Sequence, residues 1–199
     1  MYDRKDAYYR KAKREGYRSR AAYKLEQIAA KEKAVRPGDR VIDAGAAPGG
    51  WSQVILALVG PKGKVAAVDL LPVDPLPGEN FRVWRRDLRD PALPPELLAF
   101  LGGRADGVLS DAAPNTTGSS FTDQARSADL VRTVFALARE TLREGGTFLA
   151  KIFGGAEADA VFRELMPYFR ELRRVRPEAT RKESFELYLL GKGFRQATR

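Results

Sequence analysis

Four charged residues stand where a charge is costly. Lys151 follows the apolar run Phe148-Leu149-Ala150, and Glu186 interrupts Phe185-Glu186-Leu187-Tyr188. Asp111 ends the run Gly107-Val108-Leu109-Ser110, and Lys24 lies in Arg20-Ala21-Ala22-Tyr23-Lys24-Leu25. A charge inside a buried parallel sheet is expensive unless it is paired or does chemistry. Asp111 is the expected partner of Lys151, and Glu186 is placed to reach the same crevice. Taken singly, each also reads as ordinary structure: Lys24 as a surface charge, Glu186 as an outward edge residue, Lys151 as half of a structural ion pair. The chain has no cysteine and no histidine. Disulfides, thiolate nucleophiles and cysteine zinc sites are thereby excluded, and general base work falls to Lys, Asp, Glu or Tyr. A metal site would need carboxylates alone, and no calcium-loop spacing occurs.

A second constellation is built for a ligand. The run Asp43-Ala44-Gly45-Ala46-Ala47-Pro48-Gly49-Gly50-Trp51 joins an apolar strand to a helix. Its small residues let the backbone approach a ligand closely. Asp69 follows Gly49 by twenty residues and closes the next strand. A carboxylate there is placed to accept hydrogen bonds from the two hydroxyls of an adenosine ribose. Asp87, after the third strand, is placed to receive an adenine amino group. The loop is not G-x-G-x-x-G, and Pro48 removes an N–H that a pyrophosphate cradle would use, which disfavours a nicotinamide dinucleotide. The plain alternative is a tight strand-to-helix turn with no ligand.

These residues need a frame. Strand signals fall at 41–44, 64–69, 81–84, 106–111 and 147–153, with a late strand at 183–190. Helical spacing falls at 51–59, 94–101, 123–143 and 156–166. Such alternation predicts parallel strands with helices on both faces, a doubly wound three-layer α/β sandwich. The last strands are expected to form a hairpin that makes one edge antiparallel. Residues 72–78 and 115–122 are loops by composition. Residues 5–33 are read as a helical extension ahead of the first strand.

The 199 residues suit one domain with a full core, residues 1–35 forming a basic helical N-terminal extension. No apolar stretch is long enough to span a bilayer, and the start lacks the features of a secretory signal, so a cytoplasmic location is expected. The net charge of +9 is unevenly placed. Residues 1–40 carry a balance of +7, residues 170–199 one of +5, and the stretch between them −3. A near-neutral body with two basic ends predicts a surface for a polyanion. Arg4, Lys5, Arg10, Lys11, Lys13, Arg14, Arg18 and Arg20, with Tyr8, Tyr9 and Tyr17 among them, are expected to meet RNA. The alternative is that the tyrosines pin the extension to the body and the charges are solvated.

Serine 19 to Leu25 (SRAAYKL), DAGAAPGGWSQV, DLLPVDP, SDAAPN, KIF and SFELYL, in this order and spacing, closely resemble the FtsJ/RrmJ family, methyltransferases of large-subunit ribosomal RNA. The resemblance runs from about residue 5 to 190. It implies the Rossmann-like, doubly wound, seven-stranded fold of the class I S-adenosylmethionine-dependent methyltransferases. It implies a catalytic tetrad at Lys24, Asp111, Lys151 and Glu186. It implies contacts to S-adenosylmethionine from Gly45, Pro48, Gly49, Gly50, Trp51, Asp69, Asp87 and Asp111.

The reaction implied is an in-line displacement in which a ribose 2′-oxygen attacks the sulfonium methyl, S-adenosylhomocysteine leaves, and no metal is required. Lys151 is the candidate base, with Asp111 and Glu186 orienting the lysines and the hydroxyl. Methylation of a pyrimidine ring carbon generally uses a cysteine nucleophile, and there is none. Base-amine methyltransferases place an aromatic where Asn115 stands. By resemblance the acceptor is a uridine of 23S rRNA in the large ribosomal subunit, with transfer RNA as the alternative acceptor. A non-catalytic RNA-binding ribosome assembly factor is the rival of a different class, and an intact tetrad disfavours it. A monomer is expected.

Overall fold

Alternation within each strand decides which side of the sheet every residue serves. A computed structural model describes residues 7–181 and 183–196. Its strands are β1 (Arg40–Ala44), β2 (Lys64–Asp69), β3 (Phe81–Arg85), β4 (Ala105–Ser110), β5 (Leu142–Phe153), β6 (Phe169–Val175) and β7 (Glu186–Phe194). The helices are α1 (Ala7–Arg14), α2 (Ala22–Glu32), α3 (Gly50–Val59), α4 (Leu93–Leu101), α5 (Ser120–Thr141) and α6 (Ala156–Leu165). All seven strands share one sheet in the order β3-β2-β1-β4-β5-β7-β6. The first five are parallel, and β7 runs antiparallel to both β5 and β6.

Successive strand residues point to opposite faces. Ile42, Val68, Val108, Ala150 and Leu189 join α4, α5 and α6 in one core, while Val41, Ala67, Leu109, Leu149 and Leu190 join α2 and α3 in the other. A sheet covered on both faces needs apolar residues at consecutive positions, as the central strands have. Among the described residues, no helix is long and apolar enough to cross a membrane.

The structure departs from expectation in five places, the first being that β5 begins at Leu142, inside the stretch read as helical and ahead of the strand expected from 147. The extension is two helices, α1 and α2, broken where Gly16 takes a positive φ of 77°. Asp111 lies one residue beyond β4, at the strand's carboxyl end. The last strand begins at Glu186 and runs on to Phe194, so Phe185 stands outside it. The seventh strand, β6, has no apolar alternation to announce it: Arg170, Glu171, Arg173 and Arg174 fill four of its seven positions. It is an edge strand, and an edge strand tolerates charge because one side meets water.

Candidate active site

The same alternation gathers the four charged residues. Leu109, Leu149 and Leu190 face the α2–α3 side. Two residues further on, Asp111 and Lys151 face that side too; two and four residues back along β7, so do Tyr188 and Glu186. Lys151 and Tyr188 are cross-strand neighbours in register. Helix α2 packs on this face and brings Lys24. Lys24 Nζ lies 2.8 Å from Glu186 Oε2, and Lys151 Nζ lies 3.2 Å from Asp111 Oδ1 and 3.9 Å from Glu186 Oε1. Both lysines are buried, at 7% and 8% exposure. Glu186 therefore bridges two cations with its two oxygens. Burial alone would raise its pKa, but Lys24 and Lys151 outweigh burial and hold the carboxyl below its ordinary value.

Tyr188 completes the cluster, and no charge pattern in the sequence announces it. Its ring is fully buried, and its O–H donates to Asp111 Oδ1 at 2.6 Å. Burial first, and then the Asp111 carboxylate, push its pKa well above the ordinary value, so it remains a donor. Asp111 thus receives Lys151 and Tyr188 on one oxygen, which fixes the orientation of its carboxylate.

The glycine loop lies beside this cluster. Gly45 adopts φ 78°, and a Cβ built there would stand 2.4 Å from Ala112 Cβ. Only glycine lets the β1 loop lie this close to the residue after Asp111. Asp69 holds the loop in shape: its Oδ2 accepts the Ala47 N–H at 2.9 Å and its Oδ1 the Leu71 N–H at 2.8 Å. Each carboxylate oxygen has a second lone pair, so hydroxyl groups can still be received. Asp87 is exposed and accepts the Arg89 N–H at 2.9 Å. Gly49 caps α3 without a side-chain hydrogen bond. The first-turn N–H groups of a helix have no partner within the helix and suit a carboxylate. Pro48 is exposed on the loop. The indole of Trp51 is packed inside the fold. It donates to the Ala21 carbonyl at 2.9 Å and stacks on Tyr188 with centroids 5.7 Å apart.

Asp43 stands near the end of β1, where the loop begins. It is wholly buried; its Oδ2 accepts the Ser52 hydroxyl at 2.6 Å, and its Oδ1 has no partner among the described residues. Burial, with Asp111 and Asp69 nearby, raises its pKa to about 7 against the opposing effect of Ser52.

The segment between α1 and α2 crosses the loop. A Cβ on Gly50 would lie 2.2 Å from Ser19 Oγ. Arg18 Nη1 donates to the Asp74 carbonyl at 2.6 Å, and its backbone N–H donates to Gln53 Oε1 at 2.9 Å. Arg20 Nη2 donates to the Ala179 carbonyl at 2.5 Å. The extension is thereby tied to the loop after β2, to α3 and to the loop after β6. Two of its tyrosines are pins: Tyr8 and Tyr17 each pack on the buried Tyr23 with centroids 5.5 Å apart, and Tyr17 donates to Glu26 at 2.5 Å. Tyr9, Arg10, Lys11, Lys13 and Arg14 are exposed. Arg4 and Lys5 lie outside the described residues.

A family model described as FtsJ-like methyltransferase matches residues 17–194. A protein of Methanothermobacter thermautotrophicus named ribosomal RNA large subunit methyltransferase E is 48% identical over 96% of this chain and 91% of its own length. One of the same name from Archaeoglobus fulgidus is 47% identical over 98% of this chain and all of its own. The crystal structure of a ribosomal RNA methyltransferase from Plasmodium falciparum is similar with a TM-score of 0.78, at 27% identity, over 89% of this chain and 98% of that one.

Proposed function

The chain belongs to the FtsJ-like methyltransferase family, and from that premise we propose that it methylates a ribose 2′-hydroxyl of ribosomal RNA with S-adenosylmethionine as donor. The observation that carries this reading is the tetrad: Lys24, Asp111, Lys151 and Glu186 come from an α2 helix, two parallel strand ends and an antiparallel strand, and meet within 4 Å contacts. A ring of donors and acceptors, with no thiol and no imidazole, suits an alcohol nucleophile that must be oriented and relieved of one proton.

Bound S-adenosylmethionine supplies the electrophilic methyl group. The residues fit such a molecule: a closely packed glycine loop, a helix start for its carboxylate, Asp69 for its ribose hydroxyls and Asp87 for its base. The protein's own residues do the rest. Lys151 is the base: once it has given up its own proton, its Nζ takes the proton of the hydroxyl. Asp111, fixed by Tyr188, keeps that amine directed at the acceptor. Glu186 holds Lys24 opposite, where its ammonium group neutralises charge developing on the oxygen.

The acceptor proposed is 23S rRNA of the large ribosomal subunit, as the relatives' names support, and the compartment is the cytoplasm. Lys151→Ala, and Lys151→Met as a closer match in volume, should abolish methyl transfer in single-turnover assays. S-adenosylhomocysteine affinity should stay within a few-fold. Near-normal turnover in either variant would remove Lys151 from the mechanism. Mapping ribose methylation in cells with and without this chain tests the acceptor, and an unchanged map of ribosomal RNA would sink it.

A further inference from the structure

Beside the tetrad is a side chain that methyl transfer leaves unexplained. Phe185 is 77% exposed and immediately precedes Glu186. A scattered exposed phenylalanine needs no explanation. This one lines a groove of about 970 Å³ together with Lys24, Glu186, Arg20, Gln124 and Arg181. Its main chain is held in place. The Gly154 N–H donates to the Phe185 carbonyl at 2.8 Å, the Glu186 N–H to Ser184 Oγ at 3.2 Å, and Arg176 Nη2 to the Ser184 carbonyl at 2.8 Å. The ring therefore stands on a fixed backbone at the wall of a groove whose charged lining mixes Arg20, Lys24 and Arg181 with Asp123, Glu183 and Glu186. Most of its surface stays in water, so packing against the protein does not account for it.

A nucleotide has the matching chemistry. Unstacked bases of RNA are held on aromatic side chains, and the cations of the groove suit the phosphates on either side. We infer that Phe185 stacks on the base of the nucleotide whose ribose is methylated, an inference that rests on the function proposed above. The base hangs from the ribose carbon adjoining the one that bears the 2′-hydroxyl. Phe185 adjoins Glu186, whose two oxygens reach Lys24 and Lys151. Ring and lysines thus address neighbouring atoms of a single nucleotide. Phe185 is a positioning residue: by fixing the base it aims the 2′-oxygen at Lys151.

Steady-state methyl transfer is measured on large ribosomal subunits from cells lacking this chain, using the wild type, Phe185→Ala, Phe185→Leu and Phe185→Trp. Stacking on a base predicts that Phe185→Ala lowers kcat/KM by about ten- to a hundred-fold, chiefly through KM. Phe185→Trp stays within a few-fold of the wild type. Phe185→Leu, apolar but without a ring, behaves like Phe185→Ala. Calorimetry with S-adenosylhomocysteine gives the same affinity for all four proteins, which also shows the variants to be folded. Unchanged kcat/KM in Phe185→Ala overturns the inference, as does rescue by leucine equal to that by tryptophan, or a loss traced to weaker S-adenosylhomocysteine binding. A wild type that transfers no methyl group to the subunits overturns the proposed function as well. An active wild type with an indifferent Phe185→Ala overturns the stacking alone.

Discussion

Asp43 is the residue whose surroundings most oppose its ordinary chemistry. Its side chain has no access to water and one hydroxyl donor for two oxygens. The folded chain holds its proton up to about pH 7, whereas its ordinary pKa is 3.8. Across that window the folded state binds a proton that the unfolded state has released. The stability this adds is present below about pH 4 and is lost as pH rises to about 7. Asp43→Asn keeps an acceptor for Ser52 and cannot ionise. The stability of the wild type relative to this variant should therefore fall between pH 4 and 7, by at most about 4 kcal/mol, and level off above. Urea unfolding at successive pH values tests this, and parallel curves for the two proteins would contradict it. Asp43 also marks a limit of sequence reading. Its place at the end of an apolar strand is plain in the sequence, but its isolation is created by α3 closing over it. Tyr188 is similar: it is visible in a strand as an ordinary aromatic, and only the register of β7 against β5 brings its hydroxyl to Asp111.

Helix α2 owes its position to contacts at both ends. At its carboxyl end the buried Glu32 receives Arg173 from β6 and Lys192 from β7, and Lys33 closes the helix in a left-handed conformation. At its amino end Ser19 rests on Gly50, with no room for a further carbon. Gly50→Ala should push the strap of residues 16–21 off the loop and take Lys24 with it. Overpacking of this kind costs about 1–3 kcal/mol. The expected outcome is a lower Tm, weaker S-adenosylhomocysteine binding and a fall in kcat together, read by thermal melting, calorimetry and single-turnover assay. Wild-type values in all three would show that the strap accommodates the methyl group elsewhere. The elements themselves were legible to different degrees. The five parallel strands and their helices follow from apolar runs of the right length. The grouping of the four charged residues was legible through the motifs that carry the family resemblance; Asp111, Lys151 and Glu186 keep step with Leu109, Leu149 and Leu190 in a period of two, whereas Lys24 arrives on helix α2. Strand β6 was not, because four charges mask its period; its buried anchor is Phe169, whose ring packs where a side chain on Gly191 would have to go. The break in the extension depends on Gly16 and on the docking of Tyr17 and Tyr23, which no local pattern announces.

Across the whole molecule the charge is not spread evenly: the basic excess falls in residues 1–40 and 170–199. Lys11, Lys13 and Arg14 are exposed on α1, in the extension that also carries Arg20 and Lys24 to the groove. Lys11 has an ion pair with Glu15 at 4.0 Å, a surface contact of little energetic weight that leaves it able to meet a phosphate. Reversing Lys11, Lys13 and Arg14 to glutamate should weaken RNA binding and reduce the dependence of log affinity on log salt by about one unit per lost phosphate contact. S-adenosylhomocysteine affinity should not change. Titrations of ribosomal RNA at several salt concentrations decide the point; an unaltered slope in a folded variant would mean that RNA arrives by another face. The ion pair between Lys24 and Glu186, 162 residues apart, has a consequence for synthesis. A chain leaving the ribosome displays its glycine loop early, yet the ring of lysines and carboxylates stays open until Glu186 has emerged and β7 has threaded between β5 and β6. On the mechanism proposed above, premature release yields fragments with the parts of a cofactor site and no means of using it, and the first methyl group transferred by a new molecule reports that its sheet is complete.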